Sequence, residues 1–100
     1  MSEPVTLIVT ATFDPDNMPA AQRYMQAAVP MLVAGGGEIL RRVKVEKPVV
    51  GIAAFDACLI VSFPDAAAID GIFGSDAYAA LVEDRDVGFV GMDIVLARSL

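Results

Sequence analysis

A chain of 100 residues has room for one domain and one core. Of these residues 56% are apolar, yet the longest stretch without a charge, Tyr24 to Gly37, runs for only 14 residues and includes Gln26, Pro30 and three glycines; a spanning helix needs about 20 apolar residues. A net charge of −6 opposes nucleic acid and anionic lipid, and the absence of histidine removes His-based triads, ordinary zinc sites and a His-ligated haem.

The opening run MSEPVTLIV carries neither the basic stretch nor the cleavage site of a secretory signal, so a cytoplasmic protein is expected. From Val5 to Phe13 the chain alternates: Val5, Leu7, Val9, Ala11 and Phe13 face one way, and Thr6, Ile8, Thr10 and Thr12 the other. That period predicts a strand. The segment DPDNMP predicts a turn, with Asn17 or Asp16 as helix N-cap and Pro19 in the first helical turn. It is not a calcium loop: Pro19 stands at the sixth position in place of Gly, and Met25 at the twelfth in place of Glu.

Ala21, Tyr24, Met25, Ala28 and Leu32 recur at helical spacing, and Gly35-Gly36-Gly37 ends the helix. Pro30 should kink it or end its regular part. Glu38 to Lys47 returns to strand character with charges on both faces, and Pro48 to Ala54 reads as a connection. The cluster Arg41, Arg42, Lys44 and Lys47 either guards a sheet edge against stray pairing or holds a small anion.

Phe55 to Phe63 is the next strand, with Phe55, Ala57, Leu59, Val61 and Phe63 on one face and Asp56, Cys58, Ile60 and Ser62 on the other. Cys58 is the one cysteine, which rules out an internal disulfide, and its apolar neighbours predict a slow, buried thiol. Pro64-Asp65 opens a short helix carrying Ile69, Ile72 and Phe73. Gly74 ends it, and Ser75 caps a second piece through Tyr78, Leu81 and Val82. The last strand, Phe89 to Ala97, puts Val90, Met92, Ile94 and Leu96 on one face and Gly91, Asp93 and Val95 on the other.

The order β-α-β-β-α-β predicts one ferredoxin-like α+β domain over residues 1–100, a four-stranded antiparallel sheet in the order 4-1-3-2. Two helices cover one side of such a sheet. On strands one, three and four the opposite side is small, half-polar and nearly uncharged, with Asp56 and Asp93 its only charges. Such a face suits a second copy of the chain packed across it, or a small-molecule cavity between the two sheets, so a homodimer is expected.

The segments GGGEILRR and IVSFPDAAAIDGIFGSDAYAALVEDRD, with Gly51 between them, resemble a bacterial family, domain-of-unknown-function family thirteen-thirty. Phe63-Pro64, Ser75, Tyr78 and Arg85 carry the most specific part of the likeness. The resemblance implies a dimeric α+β barrel. Its wider superfamily includes cofactor-free monooxygenases, muconolactone isomerases, haem-degrading enzymes, dye-type peroxidases and ligand-sensing domains, and fold does not choose among them. Without His or Trp the chain lacks the usual haem ligand and residues that some cofactor-free oxygenases use.

Asp56 and Asp93 fall on one sheet face in this topology, with Arg42 beside Asp56 if it shares that face. They would act as catalytic acid or base in a poorly solvated cavity, or pair across the dimer interface. Arg85, in the run Glu83-Asp84-Arg85-Asp86, either lies in a solvated turn or turns back to hold a carboxylate. Tyr78, seven residues earlier, lies on the same helix face and is a ligand contact or plain core. The expectation is a cofactor-free, metal-free isomerase, lyase or oxygenase acting on a small organic acid, with Asp93 and Asp56 catalytic and Arg42, Tyr78 and Arg85 binding substrate. A non-catalytic ligand-binding dimer and a structural module are the alternatives.

Overall fold

Alternation makes Val5–Phe13 the first strand, β1, and its odd positions Val5, Leu7 and Ala11 are buried. A computed structural model describes residues 3–100. After β1 the Asp14 carboxylate accepts hydrogen bonds from the Asp16 amide at 3.0 Å and the Asn17 side chain at 2.9 Å. This turn feeds α1 (Met18–Ala34), with Asn17 at the N-cap and Pro19 in the first turn. Pro30 sits on the exposed side of α1 without ending it, and the helix continues to Ala34. Gly36 takes the left-handed conformation, φ 105°, that reverses the chain, and the Gly37 amide donates to the Leu32 carbonyl at 2.9 Å.

Then follow β2 (Glu38–Lys44), β3 (Ala57–Phe63), α2 (Ala66–Phe73), α3 (Asp76–Ala79), α4 (Val82–Gly88) and β4 (Phe89–Ala97). Asp65 caps α2 by accepting from the Ala68 amide at 2.9 Å, and Ser75 caps α3 by accepting from the Tyr78 amide at 3.1 Å. The strands pair antiparallel in the order β2-β3-β1-β4, the ferredoxin-like order expected from the sequence. All the helices pack on one side. Val5, Leu7, Val61 and Phe63 meet Leu32, Ile69 and Ile72 in one cluster; Ala11 and Phe89 meet Ala21, Tyr24, Ala28 and Tyr78 in another. Gly88 lets α4 approach α1: a Cβ there would run into the Ala21 backbone.

Two ladder irregularities set which side chains face the helices. After Thr12 the register shifts so that Phe89 opposes Phe13 and Val90 is left unpaired. Phe89 is therefore buried and Val90 is 65% exposed, which corrects the expectation that Val90 shares the core face with Met92 and Ile94. In β2 the extra residue is Leu40. Beyond it Arg42 opposes Leu59 and Lys44 opposes Ala57, so both cations lie on the helix side. Arg42 does not share the bare face with Asp93.

The helices stop short of β2, whose residues are exposed except the half-buried Ile39. Across the sheet's other face, Thr6, Ile8, Thr10, Cys58, Ile60 and Ser62 are half-buried and Asp93 and Val95 exposed. The chain is a plate, 16 Å through its thinnest axis.

Candidate functional site

Because α1 crosses above β1 and leaves β2 bare, a cleft opens between the two. It holds about 550 Å³, within the usual range for small-molecule sites. Val9, Ala11 and Leu59 form its floor, Met25, Val29 and Leu32 of α1 one wall, and Arg42 and Lys44 of β2 its lip. The cavity expected between sheets on the bare face thus has a counterpart on the opposite, helix-covered side. The cause is the asymmetry of helix cover and not the composition of the bare face.

At the covered end stand both tyrosines of the chain. Tyr24 from α1 and Tyr78 from α3 are 6% and 4% exposed, and their hydroxyl oxygens lie 2.7 Å apart. Arg85 of α4 donates from Nη1 to the Tyr78 hydroxyl at 3.1 Å, and its guanidinium carbon lies 5.8 Å from the Tyr78 ring centroid. Phe73 meets Tyr78 edge-on at 4.6 Å, and Phe89 meets Tyr24 at 5.6 Å. Burial, then the bond to Tyr78, holds the Tyr24 hydroxyl well above the usual tyrosine range, so it stays protonated. The hydrogen bond to Tyr78 raises the Arg85 pKa. On its other side Arg85 lines a groove along β4 with Asp86, to which its Nε donates at 3.4 Å.

The residues predicted from sequence therefore divide. Tyr78 and Arg85 are brought together. Arg42 stands at the lip of the same cleft, over Leu59. Asp56 borders the cleft too, but its carboxylate accepts from the Phe13 amide at 2.9 Å, while its own amide donates to the Ala11 carbonyl and its carbonyl accepts from the Val45 amide, both at 2.8 Å. It ties β1 to both arms of the β2–β3 hairpin where the ladder ends. Asp93 opposes Thr10 on the bare face. The two carboxylates are not a pair, and neither forms an ion pair among the described residues. Tyr24 is the residue the sequence reading took only as helix core. The available signal was a second phenol in an apolar helical stripe, whose hydroxyl needs a partner once buried. Among the described residues no three His, Cys, Asp or Glu side chains gather as metal ligands, and no helix is long and apolar enough to cross a membrane.

A four-stranded antiparallel sheet in this order, with helices on one side and a cleft under them, defines a ferredoxin-like α+β protein. The chain belongs to the family described as Domain of unknown function (DUF1330), whose model matches residues 6–100. No curated protein matches it. Among solved structures it is similar to RPA0582, a protein of unknown function from Rhodopseudomonas palustris, at 17% identity and a TM-score of 0.85 over 100% of this chain and 85% of that one. A dabb family protein with a ferredoxin-like fold from Mesorhizobium loti follows at 18% and 0.70, covering 97% of each chain. A dimeric protein of unknown function with a ferredoxin-like fold from Bacteroides fragilis matches at 13% and 0.65, covering 96% of each.

Proposed function

We propose that this protein binds a small, partly apolar organic acid in the cleft between α1 and β2, and does so as a homodimer. One observation carries the binding reading: an apolar-walled space of about 550 Å³ that has two cations, Arg42 and Lys44, at its lip. The walls take the hydrocarbon body, and the Arg42 fork suits a carboxylate. Catalysis by Asp56 or Asp93 in a cofactor-free isomerase, lyase or oxygenase finds less support. Asp93 lies across the sheet from the cleft, and the Asp56 carboxylate already accepts a backbone amide. Calorimetric titration with 4-phenylbutyrate tests the reading: wild type binds, and Arg42→Gln weakens binding about tenfold, the worth of one charge-assisted hydrogen bond. Equal affinity in the variant would remove Arg42 from the site.

The dimer reading is supported by the bare, weakly charged sheet face and by the arm that joins β2 to β3. Val49, Val50 and Ile52 on that arm are 93%, 90% and 96% exposed, a costly display of apolar surface in water. The Bacteroides fragilis structure of similar fold is described as dimeric. Light scattering at micromolar concentration should give about twice the monomer's 10.5 kDa; the monomer mass would exclude the assembly.

A further inference from the structure

Hydrogen counting at the covered end of the cleft narrows what it binds. Arginine only donates, so the Tyr78 oxygen accepts the bond from Arg85. The two phenols own two hydrogens, and the single bond between them uses one. Neither hydroxyl has another partner among the described residues. One phenolic O–H is therefore left over whichever tyrosine donates. Donation from Arg85 polarises Tyr78 and makes it the better donor to Tyr24, which leaves the Tyr24 hydrogen as the free one. Both rings line the cleft and both are more than nine-tenths buried. A buried donor left without an acceptor costs about 1–3 kcal/mol.

We infer that Tyr24, oriented through Tyr78 and Arg85, donates this hydrogen bond to a carbonyl oxygen of the ligand, so that the cleft selects acids that carry a carbonyl set apart from the carboxylate over plain carboxylic acids. The inference rests on the organic-acid reading of the cleft. Tyr24 binds the oxygen; Tyr78 and Arg85 are positioning residues, Arg85 acting only through Tyr78. A tyrosine that keeps its proton is a donor and not a base, so the site polarises a carbonyl without removing a proton itself.

The test compares 4-oxo-4-phenylbutyrate, whose ketone stands at the far end of the chain from its carboxylate, with 4-phenylbutyrate, which differs only in lacking that ketone, by calorimetry at neutral pH. Wild type should prefer the keto acid about tenfold, the worth of about 1.4 kcal/mol. Tyr24→Phe keeps the ring and its packing. It should bring the preference within about twofold while leaving the affinity for 4-phenylbutyrate unchanged. Arg85→Gln should reduce the preference in the same direction, and Arg85→Lys should restore part of it, since an ammonium still donates to Tyr78. A purely structural role for Arg85 would move both affinities together and overturn its assignment. Equal binding of the two acids by wild type, or an undiminished preference in Tyr24→Phe, overturns the inference and leaves the cleft as a simple acid site. No binding of either acid at millimolar concentration overturns the organic-acid reading itself, and this inference with it.

Discussion

Large apolar side chains occur at both edges of the sheet and meet different fates. Under the helices, Val5, Leu7, Val61 and Phe63 are at most 1% exposed, and the aromatic cluster of Phe73, Tyr24, Tyr78 and Phe89 closes the β4 end. At the other edge β2 carries Leu40 and Val43 about half exposed, and the arm beyond it holds Val49, Val50 and Ile52 almost wholly in solvent. The difference teaches that apolar content does not locate the core. Helix cover does, and here it ends over β3. What it leaves behind is a cleft with charged residues at one end and a phenol pair at the other.

The largest effect separating the halves should come from truncating them in turn. Phe63→Ala removes a fully buried ring at the meeting of β1, β3 and α2, and should cost about 3–5 kcal/mol in chemical denaturation. Ile52→Ser should leave the unfolding free energy of the monomer nearly unchanged and weaken dimerisation, read as a concentration-dependent mass in light scattering. An Ile52→Ser variant that unfolds as readily as Phe63→Ala would mean the arm is part of the protomer's own core.

Gly88→Ala comes next. Its Cβ would meet the Ala21 backbone, so α1 and α4 must part, at about 1–3 kcal/mol. Gly91→Ala, with open space around it on the bare face of β4, is the matched control and should be near neutral.

Tyr24→Phe should cost about 1 kcal/mol at neutral pH, and its pH profile is more telling than its size. The raised pKa of Tyr24 keeps it neutral in the folded state, whereas the unfolded chain ionises near pH 10. The stabilisation is therefore complete below about pH 10 and is lost as pH rises further. Alkaline unfolding should be less steep in Tyr24→Phe than in wild type. The smallest effect belongs to the exposed α1–α4 pair, where Arg23 Nη2 lies 2.9 Å from an Asp84 oxygen and holds that carboxyl below its ordinary range. Arg23→Gln should leave the melting temperature almost unmoved, with any difference vanishing in high salt.

Much of the fold was legible because periodicity survives local averaging. The odd positions of β1, the even positions Met92 and Ile94 of β4, the helix start at Pro64-Asp65, Ser75 as a cap and the glycine stop after α1 all follow from spacing and residue type. Strand ends were less so: β2 closes at Lys44 and β3 opens at Ala57, three and two residues inside the charged and apolar runs that suggested longer strands. Of the site, Tyr78 and Arg85 were readable as one helical face, even though that face is built from two short helices broken at Ala80 and Leu81. Tyr24 was hidden because a phenol in a helical stripe has the same period as any core residue.

The order of strands and helices, and the side of β1 and β3 that meets the helices, was determined by the sequence alone, since each rests on alternation within one segment. What only the tertiary structure decided is everything that depends on one extra residue or one missing neighbour. Leu40 turns Arg42 and Lys44 toward the cleft, and Val90 turns Phe89 inward, because a single bulge inverts every later side chain on a strand of period two. The meeting of Tyr24, Tyr78 and Arg85 joins three helices across 61 residues, and no local pattern encodes so distant a contact. It exists because packing α1 against Gly88 brings the two helical segments within hydrogen-bonding reach.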